Sequence, residues 1–241
     1  MQNGIYVALS AQMALQKRLD TIANNVANSG TAGYRAEEVK FETFLSQAAG
    51  DSIAFASTGE SYISRQSGEL VQTENPLDVA VRGDAWLSIQ TPSGPVYTRD
   101  GRMRMLETGE LQTLNGESVL DAGGAAILLD PNAGTPRIAS DGMITQGNRQ
   151  LGAIGLFRIA DDAKLTRAAS SGVVPDRPAE PILDFGNAGV VQGFMERSNV
   201  NPVLEMARLI QVTRAFESVS QTVTDSESTM LNGIKTLGAS S

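Results

Sequence analysis

Ile5-Tyr-Val-Ala-Leu-Ser-Ala-Gln-Met-Ala-Leu-Gln-Lys-Arg-Leu-Asp-Thr-Ile-Ala-Asn-Asn-Val-Ala-Asn-Ser29 is a run of 25 residues with no glycine and no proline. A second such run, of 30 residues, lies between Pro202 and Gly233. Nearly all of the chain's 24 glycines and nine prolines fall between the two. Helix interiors exclude both residues, glycine at about 1 kcal/mol and proline at about 3 kcal/mol relative to alanine. The ends therefore read as helices and the middle as turn-rich.

Periodicity supports that division. Ile5, Ala8, Gln12, Leu15, Leu19, Ile22 and Val26 alternate by three and four in the first run. Met206, Leu209, Thr213, Phe216, Ser220, Val223, Glu227, Met230, Ile234 and Leu237 do so through the second. This heptad spacing marks a helix that packs along a seam. Asn201 as N-cap, Pro202 in the first helical position and Glu205 in the first turn give the second helix a start signal. Gln12, Thr213, Ser220 and Glu227 weaken the seams, so each helix needs a partner, either the other helix or a neighbouring subunit.

The middle reads as β. Leu77-Asp-Val-Ala-Val-Arg82 alternates Leu77, Val79 and Val81 against Asp78, Ala80 and Arg82, and Arg102-Met-Arg-Met-Leu106 sends both methionines one way. Turn pairs at Asp100-Gly101, Thr108-Gly109, Asn115-Gly116 and Asp141-Gly142 separate short strands. No helix-length pattern lies between them. The expected fold is mainly β, an antiparallel meander with barrel-like character, flanked by long N- and C-terminal α-helices. Val174-Pro-Asp-Arg-Pro-Ala-Glu-Pro-Ile182 reads as an extended connector.

Composition excludes much chemistry. There is no histidine and no cysteine in the 241 residues. That removes thiol nucleophiles, Ser-His-Asp and Cys-His arrangements, disulfides and zinc sites built on those ligands. Among the 24 glycines there is no Gly-x-Gly and no Gly-Lys pair, hence no dinucleotide fingerprint and no Walker A loop. No cofactor or metal is expected. Glu37-Glu38 and Asp161-Asp162 read as solvated charge, since neither sits in a calcium-loop pattern. The net charge of −8 argues against a nucleic-acid partner. It is unevenly placed: residues 1–40 carry +1, residues 196–241 carry −1, and the body between them carries −8. No apolar run approaches the roughly 18 residues needed to span a bilayer, and no signal-peptide pattern opens the sequence.

Asn24, Asn25 and Asn28 crowd a poor helix former into an otherwise good helix. They read either as a fraying, capped helix end or as buried amides that fix register in a helical interface. Both readings stay open on chemistry alone.

The same residues carry a resemblance. Ile22-Ala-Asn-Asn-Val-Ala-Asn28 followed by Thr31-Ala-Gly-Tyr-Arg35 resembles the N-terminal signature of the flagellar rod and hook family of bacterial axial proteins. Glu196-Arg-Ser-Asn-Val-Asn-Pro-Val-Leu-Glu205 with Gln211-Val-Thr-Arg-Ala-Phe-Glu217 is similar to its C-terminal motif. Asn75-Pro-Leu-Asp-Val-Ala-Val-Arg-Gly-Asp84 with Tyr97-Thr-Arg-Asp-Gly101 is similar to its first β strands. Length and the opening residues look most like the proximal rod member, with the distal member as the alternative. A carboxylate hydrolase and a secreted adhesin or tail-fibre module are the rivals from other classes.

The resemblance implies a structural, non-enzymatic rod subunit that transmits torque from motor to hook. Its partners are other rod subunits and the flagellar type III export apparatus, without membrane insertion. It implies export without a cleaved leader to a rod that crosses the periplasmic space. It also implies an axial domain of residues 1–35 plus 199–241, whose helices pair as a coiled coil, and an outer β-rich domain of residues 36–198. The assembly interface is then expected at Leu15, Leu19, Ile22, Asn24, Asn25, Val26, Asn28, Asn199, Asn201, Pro202, Met206, Leu209, Phe216 and Val223.

Overall fold

A computed structural model describes residues 2–41, 43–46, 53–56 and 59–238. Two helices are the longest elements: α1, Gln2–Ala27, and α2, Pro202–Gly238. Among the described residues, everything regular between them is β. Asn201 caps α2 as its sequence suggests, its Oδ1 accepting the Leu204 N–H at 3.1 Å and its carbonyl the Glu205 N–H at 3.0 Å. Helix α2 runs on through Gly233 despite the entropic cost of glycine. No helix among the described residues is long and apolar enough to cross a membrane.

The chain divides into two compact units. One holds residues 1–27, 37–62 and 201–241. In it α1 and α2 lie against each other, together with the strand Glu37–Lys40 and a hairpin of Thr43–Ser46 with Ile53–Ala56. The covered face of α1 includes every position of its sequence seam: Ile22 is buried, and Ile5, Ala8, Gln12, Leu15, Leu19 and Val26 are half-buried. On α2 Glu205 and Val212 are buried, and Leu209, Thr213, Phe216, Val219, Ser220, Val223 and Ser226 are half-buried. The expected seam positions Leu209, Thr213, Phe216, Ser220 and Val223 thus all lie on the covered side, joined there by Val212 and Val219. An α-helix drifts slowly against a heptad, so neighbouring residues compete for the covered side. Val212 is buried beside a half-buried Thr213, while Val219 and Ser220 are both half-buried. Met206 and Glu227 are exposed, while the side chains of Met230, Ile234 and Leu237 lie outside the described residues.

The second unit holds residues 28–36 and 63–200. Its largest sheet has nine strands, all antiparallel, around the central strand Trp86–Thr91. That strand pairs with Gly94–Thr98 on one side and with Ser118–Val119 and Leu156–Arg158 on the other. The sheet is open: among the described residues no barrel closes, which corrects the barrel-like expectation. Short sheets, the pair Val79–Arg82 with Gly189–Gln192 and the triple Arg137–Ile138, Met143–Gln146, Arg149–Ala153, complete the core. That core gathers Val79, Val81, Leu87, Ile89, Leu111 and Ile144.

Sequence alternation is only partly kept. Met103 is buried, Arg104 exposed and Met105 half-buried, as expected. In Val79–Arg82, by contrast, Ala80 and the preceding Asp78 are also buried, because the strand is covered on both faces. Three of the four turn pairs close hairpins. Asp100-Gly101 does not: it carries the chain to the opposite end of the sheet, with Asp100 gripping the Arg102 guanidinium at 2.8 and 2.9 Å.

Candidate assembly interface

Within the helical unit, Leu15, Leu19, Ile22 and Val26 share the covered side of α1, and Leu209, Phe216 and Val223 that of α2. Asn201, Pro202 and Met206 are exposed at the start of α2. A groove of about 600 Å³ beside this pair is lined by Leu9, Met13, Gln16 and Lys17 of α1, by Phe216 and by Gly59. The asparagines separate. Asn24 is exposed and Asn28 half-buried, its Oδ1 accepting from the Thr31 hydroxyl at 3.3 Å. Asn25 is buried. Its Nδ2 donates to the Glu37 carbonyl at 2.8 Å and its Oδ1 accepts the Glu37 N–H at 2.9 Å. The amide thus pairs with the backbone N–H and C=O of one residue, Glu37, as an adjacent strand would, a use that neither sequence reading contained.

Sequence reasoning missed the most distinctive site in the β unit. Arg35, Arg99 and Glu196 form a cluster in which the three side chains are only 2, 2 and 1 % exposed. Arg35 Nη2 donates to Glu196 Oε1 at 2.7 Å, and the same oxygen accepts the Gly68 N–H at 2.8 Å. Arg99 Nε lies 2.9 Å from Oε2, close enough for an ion pair but not aligned as a hydrogen bond. Arg99 is further held by the carbonyls of Gly83 and Ala85 and by the Ser67 hydroxyl. Trp86 completes the cluster, with both guanidinium carbons 5.8 Å from its ring centroid.

Backbone bonds join the same segments. Gly33 N–H donates to the Glu196 carbonyl at 2.8 Å, and Asn199 N–H to the Tyr34 carbonyl at 3.3 Å. Asn199 Oδ1 accepts the Ala36 N–H at 2.7 Å while its Nδ2 reaches the Gln66 carbonyl at 2.9 Å. Gly33, at φ +66°, comes so close to the chain at Asp100 that a Cβ would lie 2.2 Å from the Asp100 nitrogen. Burial, reinforced by the Arg99 charge, pushes Arg35 down to about 10, against the pull of Glu196 and Asp84. Burial lowers Arg99 as well, again opposed by Glu196. A buried cluster of this kind is costly to break, because either partner left alone is an uncompensated charge. Among the described residues no group of three or more acidic side chains is arranged to hold a metal ion.

The three segments that meet in this cluster are the three that carried the family resemblance, and comparison with known proteins matches each of them. Residues 5–35 match the family of flagella basal body rod proteins. Residues 80–146 match the flagellar hook protein FlgE/F/G D1 domain, and residues 191–236 the flagellar basal body rod FlgEFG protein C-terminal family. The chain is 51% identical to the flagellar basal-body rod protein FlgF of Mesorhizobium japonicum, with all of both chains covered. It is 48% identical, over the full length of both, to FlgF of Rhizobium meliloti. Identity to FlgF of Caulobacter vibrioides is 33%, covering 99% of each chain.

This chain belongs to the flagellar basal-body rod family. It is a structural subunit of the rod, most like FlgF, and its place is the flagellar basal body. Membership implies assembly with other rod subunits. In this rod protein each of the three family matches contributes one charged member of the cluster: Arg35, Arg99 and Glu196. No signal within a single motif could have revealed that, since the partners stand 64 and 97 positions apart.

Proposed function

We propose that this rod protein is a proximal rod subunit whose terminal helices pair as a coiled coil in the axial layer of the rod. The observation that carries the reading is that each helix is apolar on two sides. One side is covered within the chain. The other is exposed, with Tyr6, Leu9 and Met13 on α1 and Val203, Met206 and Ile210 on α2, each set again spaced by three and four. A helix that keeps a second apolar stripe has a second partner to meet, and heterologous contacts between such stripes propagate into a helical filament rather than a closed dimer. The covered positions of α2, from Glu205 to Val223, carry the heptad spacing a coiled coil needs. Residues 1–35 and 199–241 then form the inner layer, and residues 36–198 the outer, acidic body. Torque passes between subunits through these side-by-side contacts from motor to hook.

The identities to FlgF proteins favour the proximal over the distal reading, and the adhesin-like module is not favoured. A rod outside the inner membrane requires export, which we assign to the flagellar type III apparatus and a periplasmic destination. The subunit works as a scaffold rather than a catalyst, without membrane insertion of its own. Replacing Tyr6, Leu9 and Met13 together by serine tests the reading in the living bacterium. Circular dichroism of the purified variant should match the parent, while rods and motility are lost. Normal motility with the triple variant incorporated would refute it.

A further inference from the structure

A cleft of about 370 Å³ opens in the β unit beside the buried cluster, lined among others by Arg35, Arg65, Arg99, Trp86 and Asp84. Its lining is rich in donors, three guanidiniums beside the carboxylates of Asp84 and Asp161. Arg35 gives Nη1 to the Arg65 carbonyl and Nη2 to Glu196, and its buried Nε meets no acceptor. Arg99 spends Nη1 on two carbonyls and shares Glu196 through a misaligned Nε. One carboxylate therefore serves both buried guanidiniums, and Arg35 is depressed first by burial and then by the charge of Arg99. A third cation, Arg65, stands at the mouth. It holds the carbonyls of Ile159, Ala160 and Ala163, and its contact with the almost fully exposed Asp161 is a long 3.9 Å. The face of Trp86 gives the cleft an apolar wall, which strengthens charge-assisted hydrogen bonds made against it. Asp84, exposed at the rim, acts on both Arg35 and Arg99 and is the resident competitor.

We propose that this cleft is a receptor for one small oxyanion, a carboxylate or phosphate group, held by Arg35, Arg65 and Arg99 against Trp86. Planar forks of N–H donors match such groups in geometry as well as charge. The same chemistry is available from a free anion and from an aspartate or glutamate of a second copy, which the net charge of −8 makes abundant. The proposal does not depend on the rod reading.

Trp86 is the single tryptophan of the chain and reports directly on the cleft. The full chain is titrated with sodium acetate and with sodium phosphate while sodium chloride holds ionic strength constant. The expected result is a saturable fluorescence change with both oxyanions and none with chloride. Asp84→Asn removes the rim competitor and should tighten half-saturation about threefold. Arg65→Gln should weaken it about tenfold, as loss of one charge-assisted hydrogen bond requires. Light scattering separates the sources. If a second copy supplies the carboxylate, acetate disperses a concentration-dependent association. If a free anion does, the chain scatters as a monomer throughout. An equal response to chloride overturns the proposal, as does an Asp84→Asn titration identical to the parent, which decides the matter even where Arg65→Gln fails to fold.

Discussion

Replacing Glu196 by glutamine keeps the shape of a side chain and removes the one negative charge that two buried arginines share. The carboxylate meets Arg35 at 2.7 Å, Arg99 at 2.9 Å and the Gly68 N–H at 2.8 Å. Glutamine has one acceptor oxygen for these contacts, and its NH2 group then faces a guanidinium, donor against donor. Removing one partner of a buried pair costs about 3–5 kcal/mol, because the charge left behind is largely buried and has lost its compensation. Total stabilities of about 5–15 kcal/mol make that a large fraction. Trp86 lies against both guanidiniums, so its fluorescence during urea unfolding follows this region. With a urea dependence of about 2 kcal/mol per molar, the midpoint should fall by about 1.5–2.5 M. A companion variant, Arg35→Met with Arg99→Met and Glu196→Leu, removes all three charges and should recover much of the loss, since apolar replacement of whole buried ion clusters is often neutral. A Glu196→Gln midpoint within about 0.3 M of the parent would refute the reasoning and make the cluster incidental to stability.

Two further outcomes follow from the β unit. Gly33→Ala combines a left-handed backbone with a Cβ 2.2 Å from the Asp100 nitrogen, so it should lower stability by about 3 kcal/mol or more in the same urea assay. Glu117 holds the Ser170-Ser171 turn, where both serines have positive φ, by accepting from the Ser170 hydroxyl at 2.6 Å and from Thr113. Burial alone would raise the Glu117 carboxyl, but those two hydroxyls and its own backbone N–H together bring it below the ordinary glutamate value. A lowered folded pKa contributes stability above the unfolded pKa and loses it as pH falls through the folded one. Parent and Glu117→Gln should therefore differ by about 1 kcal/mol at neutral pH and converge in acid, as measured by thermal melts across pH.

Particular residues show how far the sequence could be read. The long helices followed from the exclusion of glycine and proline and from Asn201-Pro202, all local constraints on φ, ψ and hydrogen bonding. The covered side of α1 was legible because its apolar positions are strongly periodic. On α2 Thr213 and Ser220 lie on the covered side as expected, but Val212 and Val219 beside them were missed, because adjacent positions satisfy the same spacing and only packing shows that both are used. Asp100-Gly101 has the composition of a hairpin turn, yet the strands around it are not neighbours. Turn chemistry states that the chain bends and leaves open what it then pairs with.

The sequence by itself determined two helices around a turn-rich antiparallel body, the chemistries that a chain without histidine or cysteine cannot perform, and the family, through motifs legible in order along the chain. Those are properties of neighbouring residues or of composition. Tertiary structure alone decided that Arg35, Arg99 and Glu196 are one object. Each reads in sequence as an ordinary surface charge, because such side chains are buried only when paired, and the pairing is made between residues 64 and 97 positions apart. It likewise decided that Asn25 binds the backbone N–H and C=O of Glu37 in the strand after α1, and that each helix keeps one apolar stripe covered and one open. Periodicity counts the apolar faces of a helix, but only packing settles which of them the chain itself uses and which it leaves for a neighbour.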